Sequence, residues 1–219
     1  MRAITGLACL ALALGLVSGC GAKGSPSVDD QTPANVLLQQ AVSSLGQAPS
    51  YRVTGTTTDG QTTVELDLVY AGDRRKGTWA RNGVQAEFVE IGDVTYLKAD
   101  AAFWQPFAEA LPGQAAATLA GRWVELDGEA AAISEGLAPD IAGMLVLGDE
   151  LTKGRVGTFG GKIATTVTDG STTIYILLDE PRYPVRIQSP GGTLDLSDFT
   201  AAVTIDGPPA DQVTVLSSE

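Results

Sequence analysis

The chain has 219 residues, of which 44% are hydrophobic, and its formal net charge is −12 at pH 7. This length suits one domain with a sizeable apolar core, and the excess of acidic side chains disfavours binding to nucleic acid or to anionic lipid surfaces. The sequence contains no histidine, which excludes triads with a histidine base and the zinc and non-haem iron sites built on imidazole.

The first twenty residues have the layout of a bacterial lipoprotein signal. Arg2 precedes an apolar run that ends at Val17, and Ser18-Gly19-Cys20 follow. The run is too short for a permanent membrane helix, and the last four letters, VSGC, fit a lipobox in which the cysteine receives a diacylglycerol before cleavage. We therefore predict a signal peptide at 1–19 and lipidation of Cys20. The alternative is an ordinary signal peptide that happens to contain a cysteine.

The predicted cleavage before Cys20 determines which cysteine and which segments the mature protein contains. Cys9 would leave with the signal peptide, so Cys20 would be the only cysteine of the mature protein and no disulfide could form. Residues 20–33 are small, polar and interrupted by proline, which is typical of a flexible tether. Residues 34–219 are predicted to form a single domain. The acyl chains on the N-terminal cysteine would hold this domain at the extracytoplasmic face of the cell membrane.

The first half of the domain is predicted to be a helix followed by a β-meander. Leu38, Val42 and Leu45 recur at i, i+4 and i+7, which indicates an amphipathic helix over 34–46. From Tyr51 onward, apolar and polar residues alternate, as in half-buried strands. Turn-forming pairs separate the runs and predict about five antiparallel strands; these pairs are Asp59-Gly60, Asn82-Gly83 and Gly92-Asp93.

Residues 100–148 lose this alternation and are rich in Ala, Gly and Leu. They predict helical pieces around a short extended stretch, RWVELD; the pieces are Pro106 to Leu111, Gln114 to Ala120, and Ala130 to Leu147, the last divided by Pro139. A helix capped by Asp100 would place Pro106 in its second turn, so we expect the helix to begin at Pro106 instead. Phe103 and Trp104 would then lie on a connector, either at a rim or simply closing the core.

Strands return after Leu151. A Thr-rich hairpin around Asp169-Gly170 resembles the first one, and shared turn chemistry explains the likeness more simply than a duplication does. The stretch IYILL, residues 174–178, is apolar on both faces and needs cover on both. The whole pattern predicts an α+β fold: a strongly curved antiparallel sheet of about ten strands, with α-helices packed on its concave face. Any space that the helices do not fill would be a pocket.

Several segments together resemble the LppX and LprG type of actinobacterial lipoproteins. They are VSGC, LLQQAVSSL followed by SYRVTG, VTYLKADAAFW, GRWVEL and VTIDGPPADQV. The resemblance covers essentially the whole mature chain, although its motifs are loose and none is a catalytic signature. It implies a half-barrel related in shape to the LolA carrier, with an apolar cavity that accepts the acyl chains of complex envelope lipids.

We therefore predict a non-catalytic lipoprotein that binds or carries lipids or glycolipids, without a cofactor or a metal ion. The predicted cavity residues are Phe103, Trp104, Phe107 and Leu111 at the rim, Ile133, Leu137, Ile141 and Met144 on helices, and Ile174, Ile176 and Leu178 on the sheet. Each of them could instead be solid core. The alternative function is a ligand-free envelope adaptor or sensor that acts through a protein partner; in either case an envelope transporter or acceptor protein is a possible partner.

Overall fold

The computed structural model describes residues 31–59, 62–107, 116–126, 128–134 and 137–216. The predicted signal peptide, Cys20, most of the tether and Leu111 lie outside these residues. Within them, thirteen strands are present: β1 Tyr51–Asp59, β2 Thr62–Ala71, β3 Arg74–Arg81, β4 Val84–Ile91, β5 Val94–Ala99, β6 Trp123–Leu126, β7 Thr152–Lys153, β8 Gly157–Phe159, β9 Lys162–Thr168, β10 Thr173–Leu177, β11 Pro184–Ser189, β12 Gly192–Ser197 and β13 Val213–Val215.

All thirteen strands join one open sheet. Their order is β13-β6-β5-β4-β3-β2-β1-β12-β11-β10-β9-β7, and β8 also pairs with β9. Every pair is antiparallel except β6 with β13, which is parallel. The sheet therefore has three strands more than predicted, because β7, β8 and β13 are only two or three residues long. Such short strands carry too few residues to show an alternating pattern in the sequence.

The predicted five-stranded meander, β1 to β5, is confirmed. Asn82 and Gly83 connect β3 to β4 with φ angles of 51° and 81°. Two consecutive residues with positive φ form the turn type whose twist matches that of an antiparallel hairpin, and an Asn-Gly pair adopts it at little cost. Local turn chemistry thus sets the register of this hairpin, in which Arg81 lies opposite Val84.

Helices cover one face of the sheet, which we call the inner face. Within the described residues, four α-helices are present: α1 Ala34–Gln47, α2 Ala101–Trp104, α3 Ala116–Leu119 and α4 Ile141–Met144. Two 3-10 turns lie at Gln105–Phe107 and Gly128–Ser134, and a third, Ala210–Gln212, directly precedes β13. Helix α1 contacts β9, β10 and β11, whereas α2 contacts β4 and β5. Their buried side chains belong to a single core cluster that also contains the inward side chains of the sheet. The predicted α+β class, one large antiparallel sheet with helices on one face, is confirmed.

The first helix has the predicted bounds to within one residue, but it buries a different face. Leu37, Ala41 and Leu45 are buried, whereas Val42 is 39% exposed. The spacing i, i+4, i+8 is as suitable for one helical stripe as the predicted spacing. The small side chain of Ala41 at the centre of the stripe lets the helix backbone approach the sheet closely, which a valine there would not.

The prediction that a helix begins at Pro106 is wrong. Asp100 caps α2, since its carboxylate accepts a hydrogen bond from the backbone N–H of Phe103 at 3.1 Å. The α-helix ends at Trp104 and continues as the 3-10 turn Gln105–Phe107. Pro106 therefore lies outside the α-helical hydrogen-bond ladder and breaks no bond in it. Phe103 and Trp104 lie on a helix and not on a connector.

The remaining helical predictions for this region were too long. Of the described residues in the predicted Gln114 to Ala120 segment, Ala116–Leu119 form a helix and Ala120 does not. The predicted Ala130 to Leu147 segment contains a 3-10 turn, Gly128–Ser134, and the one-turn helix α4. Pro139 does separate these two pieces, as predicted. Ala-rich composition indicates helix propensity, but pieces this short are held by tertiary packing and not by propensity.

The strand that contains IYILL is covered on both faces, as expected. Ile174, Ile176 and Leu178 are buried in the main core. On the opposite face, the ring of Tyr175 packs against Phe159 of β8, with ring centroids 5.3 Å apart. The second cover therefore comes from the chain itself, through the short strand β8, which the sequence pattern did not predict.

Gly77 allows the middle of the sheet to pack tightly. It lies opposite Leu68 on one neighbouring strand and Phe88 on the other. A Cβ atom at this position would come within 2.1 Å of the backbone oxygen of Asp67 and 2.9 Å of the Leu68 side chain. Gly55 in β1 has a similarly close approach to Thr193. Glycines of this kind mark places where strands bend or approach closely.

The segment from Asp198 to Pro209 crosses the other face of the sheet, which we call the outer face. It leaves β12 and leads to β13, which pairs with β6. Along this path Arg74 donates a hydrogen bond to the carbonyl oxygen of Ile205 at 2.8 Å. Ile205 and Val89 are both buried but belong to no part of the main core cluster. The protein thus has a second, smaller apolar layer on its outer face.

Candidate functional site

An apolar pocket of about 300 Å³ opens at one end of the inner face, between α2 with its 3-10 turn and the β3–β4 hairpin. We call it the mouth pocket. Its size is at the lower end of the range for small-molecule sites. Its lining consists of aromatic and aliphatic side chains with two polar residues: Trp79, Arg81, Asn82, Val84, Ala102, Phe103, Pro106 and Phe107.

The rings of the mouth pocket are positioned by two elements. Strand register places Trp79 on the inner face, opposite Leu66. The Asp100 cap fixes the first turn of α2, so that Phe103 meets Trp79 edge to face, with ring centroids 5.8 Å apart and planes at 88°. Phe107 lies 5.5 Å from Phe103 and is partly exposed. A buried inner ring and a partly exposed outer ring therefore follow each other from the core to the opening.

Trp104 adds an unusual polar feature beneath these rings. Its side chain is fully buried, and its ring contacts that of Phe103 at 5.2 Å. Among the described residues, the indole Nε1 of Trp104 is a buried donor without a hydrogen-bond partner. Leaving such a group unpaired costs about 1–3 kcal/mol. Trp104 is fully buried next to Phe103 and is not part of the mouth-pocket lining.

Most of the predicted cavity residues belong to the main core, but they do not line one pocket. Eight are buried in the main core: Phe103, Trp104, Ile133, Leu137, Ile141, Ile174, Ile176 and Leu178. Phe107 and Met144 pack against that core, and Leu111 lies outside the described residues. Phe103 and Phe107 line the mouth pocket, whereas Ile141 lines a pocket at the opposite end. That these residues contact a ligand stays a prediction.

Sequence reasoning missed six of the eight residues that line the mouth pocket: Trp79, Arg81, Asn82, Val84, Ala102 and Pro106. Trp79, Arg81 and Val84 come from the β3–β4 hairpin, about twenty residues before the predicted rim. The alternation in the stretch KGTWAR puts Trp79 and Arg81 on one strand face, and this was the available signal. The alternation alone does not say which helix meets that face, because the contact depends on the position of α2.

A pocket of about 350 Å³ lies at the opposite end of the inner face, and we call it the tyrosine pocket. The rings of Tyr51 and Tyr70 stack there, with centroids 4.8 Å apart. The Tyr70 hydroxyl donates to the carbonyl oxygen of Pro139 at 3.0 Å, and Arg75 is paired with Glu90 at 2.5 Å. Burial raises the pKa of Tyr51 to about 12 and also raises the pKa of Tyr70. Both phenols are therefore neutral at physiological pH.

The outer face carries a groove of about 660 Å³ between the sheet and the Asp198 to Pro209 segment. Its lining mixes apolar side chains, among them Val69, Val89 and Val203, with charged ones. The charged residues of the lining are Arg52, Asp67, Lys76, Glu87, Asp198 and Asp206. Arg52 and Asp67 form a bidentate pair, with nitrogen–oxygen distances of 2.7 and 2.6 Å. Carboxylates therefore outnumber cations in this groove.

The described part of the chain contains neither a candidate metal site nor a candidate membrane helix. No group of three or more Cys, Asp or Glu side chains there is arranged to hold a metal ion. No described helix is long and apolar enough to cross a membrane. The pockets and the groove are thus the features from which a function can be argued.

No protein-family model matches the sequence, and no curated protein matches it. Among solved structures, LprF from Mycobacterium bovis matches with a TM-score of 0.47 and 17% identity, over 80% of this chain and 96% of that one. A chain of the Pseudomonas aeruginosa MucA/MucB complex matches with a TM-score of 0.37 and 14% identity, over 85% of this chain and 61% of that one. LprF belongs to the LppX/LprG family, which the sequence resembles. The likeness concerns the overall fold alone.

Proposed function

We propose that this protein is a membrane-anchored lipoprotein that binds lipids or glycolipids without catalysis. The observation that supports this most strongly is the mouth pocket, in which aromatic rings lead from an opening directly to the buried core. An apolar pocket with few polar groups suits an acyl chain better than a polar substrate. Cys20 would carry the anchor, and residues 20–33 would let the domain reach lipids near the membrane surface.

Acyl-chain burial supplies the binding energy in this proposal. Each methylene removed from water contributes about 0.8 kcal/mol, and part of that gain is offset by the loss of ligand freedom. The acyl chain of the ligand enters past Phe107, and the Phe103 ring turns away from Trp79 to admit it. Beyond Phe103 it meets the predicted wall residues Ile133, Leu137, Ile141, Met144, Ile174, Ile176 and Leu178. The Nε1 donor of Trp104 then binds an ester carbonyl of the ligand.

Native mass spectrometry tests this proposal. The domain from Gly21 onward would be expressed in the native host and in an unrelated one, purified without detergent, and ionised gently and then harshly. We expect a mass excess that leaves as discrete lipid species and is larger in the native host. A bare mass from both hosts would contradict lipid binding.

A matched pair of variants locates the ligand. Ala102→Trp fills the mouth pocket from α2, and Ala142→Trp does the same to the tyrosine pocket from α4; both alanines are exposed on one-turn helices. We expect the lipid mass to disappear in Ala102→Trp and to persist in Ala142→Trp. Loss in both variants or in neither would place the ligand elsewhere.

The groove on the outer face supports a second candidate function, an envelope adaptor that binds a protein partner. Its surplus of carboxylates and its apolar floor suit an extended cationic segment of the partner. The test compares Asp198→Asn/Asp206→Asn with a control pair on the exposed 149–150 segment, Asp149→Asn/Glu150→Gln. A Lys-Leu alternating peptide is the probe, with its Lys-to-Glu counterpart as the charge control.

Trp123 reports binding in this experiment. It lines the groove and is partly exposed, whereas Trp79 and Trp104 are buried. The adaptor function predicts a fluorescence shift on addition of the cationic peptide, weakened several-fold by the groove variants and unchanged in the control pair. Equal responses to both peptides, or equal loss in both variant pairs, would exclude the groove as a specific site.

A further inference from the structure

We infer that the mouth pocket selects amphiphiles with an anionic headgroup, which Arg81 binds at the opening. This inference rests on the proposed lipid-binding function and gives the ligand a chemical class. Arg81 is the last residue of β3 and lines the mouth pocket together with Trp79 and Phe107. An apolar pocket with a cation at its entrance has the charge distribution that complements a fatty chain ending in a carboxylate or phosphate.

Strand register sets the direction in which Arg81 extends. It lies opposite Val64 on β2 and Val84 on β4, two positions after Trp79 on the same strand. Since side chains alternate along a strand, Arg81 and Trp79 share the inner face. Arg81 is therefore two residues closer to the β3–β4 turn, and so to the opening, than Trp79 is. A headgroup reaches it while the attached chain lies on the rings.

Arg81 differs from most arginines of this protein in having no partner. Arg52, Arg75, Arg182 and Arg186 each pair with a carboxylate, Arg74 donates to a backbone carbonyl, and Arg122 donates to the hydroxyl of Thr214. Within the described residues, Arg81 makes no ion pair and no side-chain hydrogen bond, and it is exposed. In a chain with 26 acidic and 14 basic residues, an unpaired arginine beside an apolar pocket needs an explanation.

The other polar groups near the opening do not neutralise Arg81. Asn82 carries no charge, and the carboxylate of Asp100 accepts the backbone N–H of Phe103, away from the pocket lining. A guanidinium presents a planar pair of donors that matches the oxygens of a phosphate or a carboxylate. Such charge-assisted bonds correspond to roughly a tenfold to hundredfold difference in affinity. Uncharged lipids cannot form these charge-assisted bonds with Arg81.

The experiment measures two ligands with the same chain against the domain from Gly21 onward. One is a lysophosphatidate with a fourteen-carbon acyl chain, and the other is the corresponding monoacylglycerol, which lacks the phosphate. Both are titrated below their micelle-forming concentrations, with displacement of a fluorescent fatty acid as the readout. Arg81→Gln removes the charge, Arg81→Lys keeps it without the planar fork, and Arg155→Gln is the control at another exposed arginine.

We expect the wild-type protein to bind the phosphate-bearing ligand at least tenfold more tightly. Arg81→Gln should make the two affinities equal, Arg81→Lys should give an intermediate ratio, and Arg155→Gln should behave as wild type. Equal affinities in the wild type, or a ratio that Arg81→Gln leaves intact, would overturn the headgroup inference and leave lipid binding standing. Binding of neither ligand would overturn the proposed function itself.

Inorganic phosphate separates a lipid headgroup from a free anion. If the site takes lipids, millimolar phosphate should displace the lysophosphatidate only weakly, because it lacks the chain that the rings bind. Displacement by phosphate at the concentration of the lipid itself would show a site for the free ion and would overturn the inference. A Phe107→Ala variant should weaken both lipids and leave their affinity ratio unchanged.

Discussion

The mouth pocket and the tyrosine pocket lie at opposite ends of the same strands, and they differ in how their polar groups are satisfied. In the tyrosine pocket, the hydroxyl of Tyr70 has a backbone acceptor and Arg75 is paired with Glu90. At the mouth-pocket end, Arg81 has no partner among the described residues, and the Nε1 of Trp104, buried in the core next to Phe103, has none either. One end is complete within the chain, and the other holds polar groups available to a ligand.

Pocket size does not distinguish the two ends, because the volumes are similar at about 350 and 300 Å³. The two pockets differ instead in whether their polar groups have partners within the protein. Polar groups that satisfy one another rigidify a site. A buried polar group without a partner, such as the Nε1 of Trp104, carries a cost, whereas an exposed cation such as Arg81 is hydrated and free to pair with an anion. We therefore expect substitutions at the tyrosine pocket to change stability alone, and substitutions at the mouth pocket to change both stability and lipid binding.

The largest expected loss of stability comes from a substitution at the centre of the aromatic cluster. Phe103→Ala removes a buried ring that contacts Trp79, Trp104 and Phe107, so the free energy of unfolding should fall by about 3–5 kcal/mol. Urea unfolding followed by circular dichroism measures this change. Phe107→Ala, at the partly exposed outer ring, should cost much less. Equal losses for the two variants would mean that the rings do not form an inner and an outer position.

The two helix caps offer a matched test of the difference between the mouth pocket and the tyrosine pocket. Asp100 caps α2 at the mouth pocket, and Asp140 caps α4 beside the tyrosine pocket, with hydrogen bonds of 3.1 and 3.0 Å. Substitution of either residue by alanine should lower the unfolding free energy by about 1 kcal/mol. Only Asp100→Ala should also weaken lipid binding, because its cap positions Phe103. Weaker binding in Asp140→Ala would show that the two ends are coupled.

A smaller loss of stability is expected from Tyr70→Phe. This change deletes the hydroxyl that donates to Pro139 and keeps the ring that stacks on Tyr51. The unfolding free energy should fall by up to about 1 kcal/mol, the usual value for one hydrogen bond. Lipid affinity, measured by the same fluorescent displacement, should stay as in the wild type. A change in affinity would assign the tyrosine pocket a part in ligand binding.

The smallest effect near neutral pH is the one that tyrosine ionisation produces, because it begins only in alkali. Burial raises the pKa of Tyr51 from 10.0 to about 12. The folded protein therefore retains a proton that the unfolded chain loses between these values, and stability should fall as pH rises from about 10 to 12. Melting temperatures across this range, with tyrosinate absorbance, test the effect. Tyr51→Phe should reduce this slope, and Tyr70, whose pKa is also raised by burial, should supply the remainder; an unchanged slope would exclude Tyr51 as a source.

Local features of the fold were predictable from the sequence. The β1–β5 meander follows from alternation and from turn pairs such as Asn82-Gly83, where the conformation of two residues fixes the hairpin. The short extended stretch RWVELD was also predicted, and it contains β6. The face of α1 was not, because Ala41 is a neutral residue in a pattern count and only the sheet beneath it makes a small side chain necessary there.

The mouth pocket was only half predictable. Phe103 and Phe107 stand out in an aromatic-rich stretch, but Trp79 and Arg81 reach the same pocket through the register of β3 and the placement of α2. The Asp100 cap was rejected on the argument that Pro106 would break the helix, and that argument fails because α2 ends after a single turn. How soon a helix stops depends on tertiary packing, which a local pattern does not contain.

The pairing of β6 with β13 has a consequence for how the chain reaches its folded state. Arg122 beside β6 bonds to Thr214 of β13 across 92 positions of sequence, and the segment between β12 and β13 must first cross the outer face. Contacts this distant in the chain form late, since a long loop has to close before they give any stability. Until then β6 is an open sheet edge, available for pairing with another molecule. While it folds, such a domain would be most vulnerable to aggregation at β6.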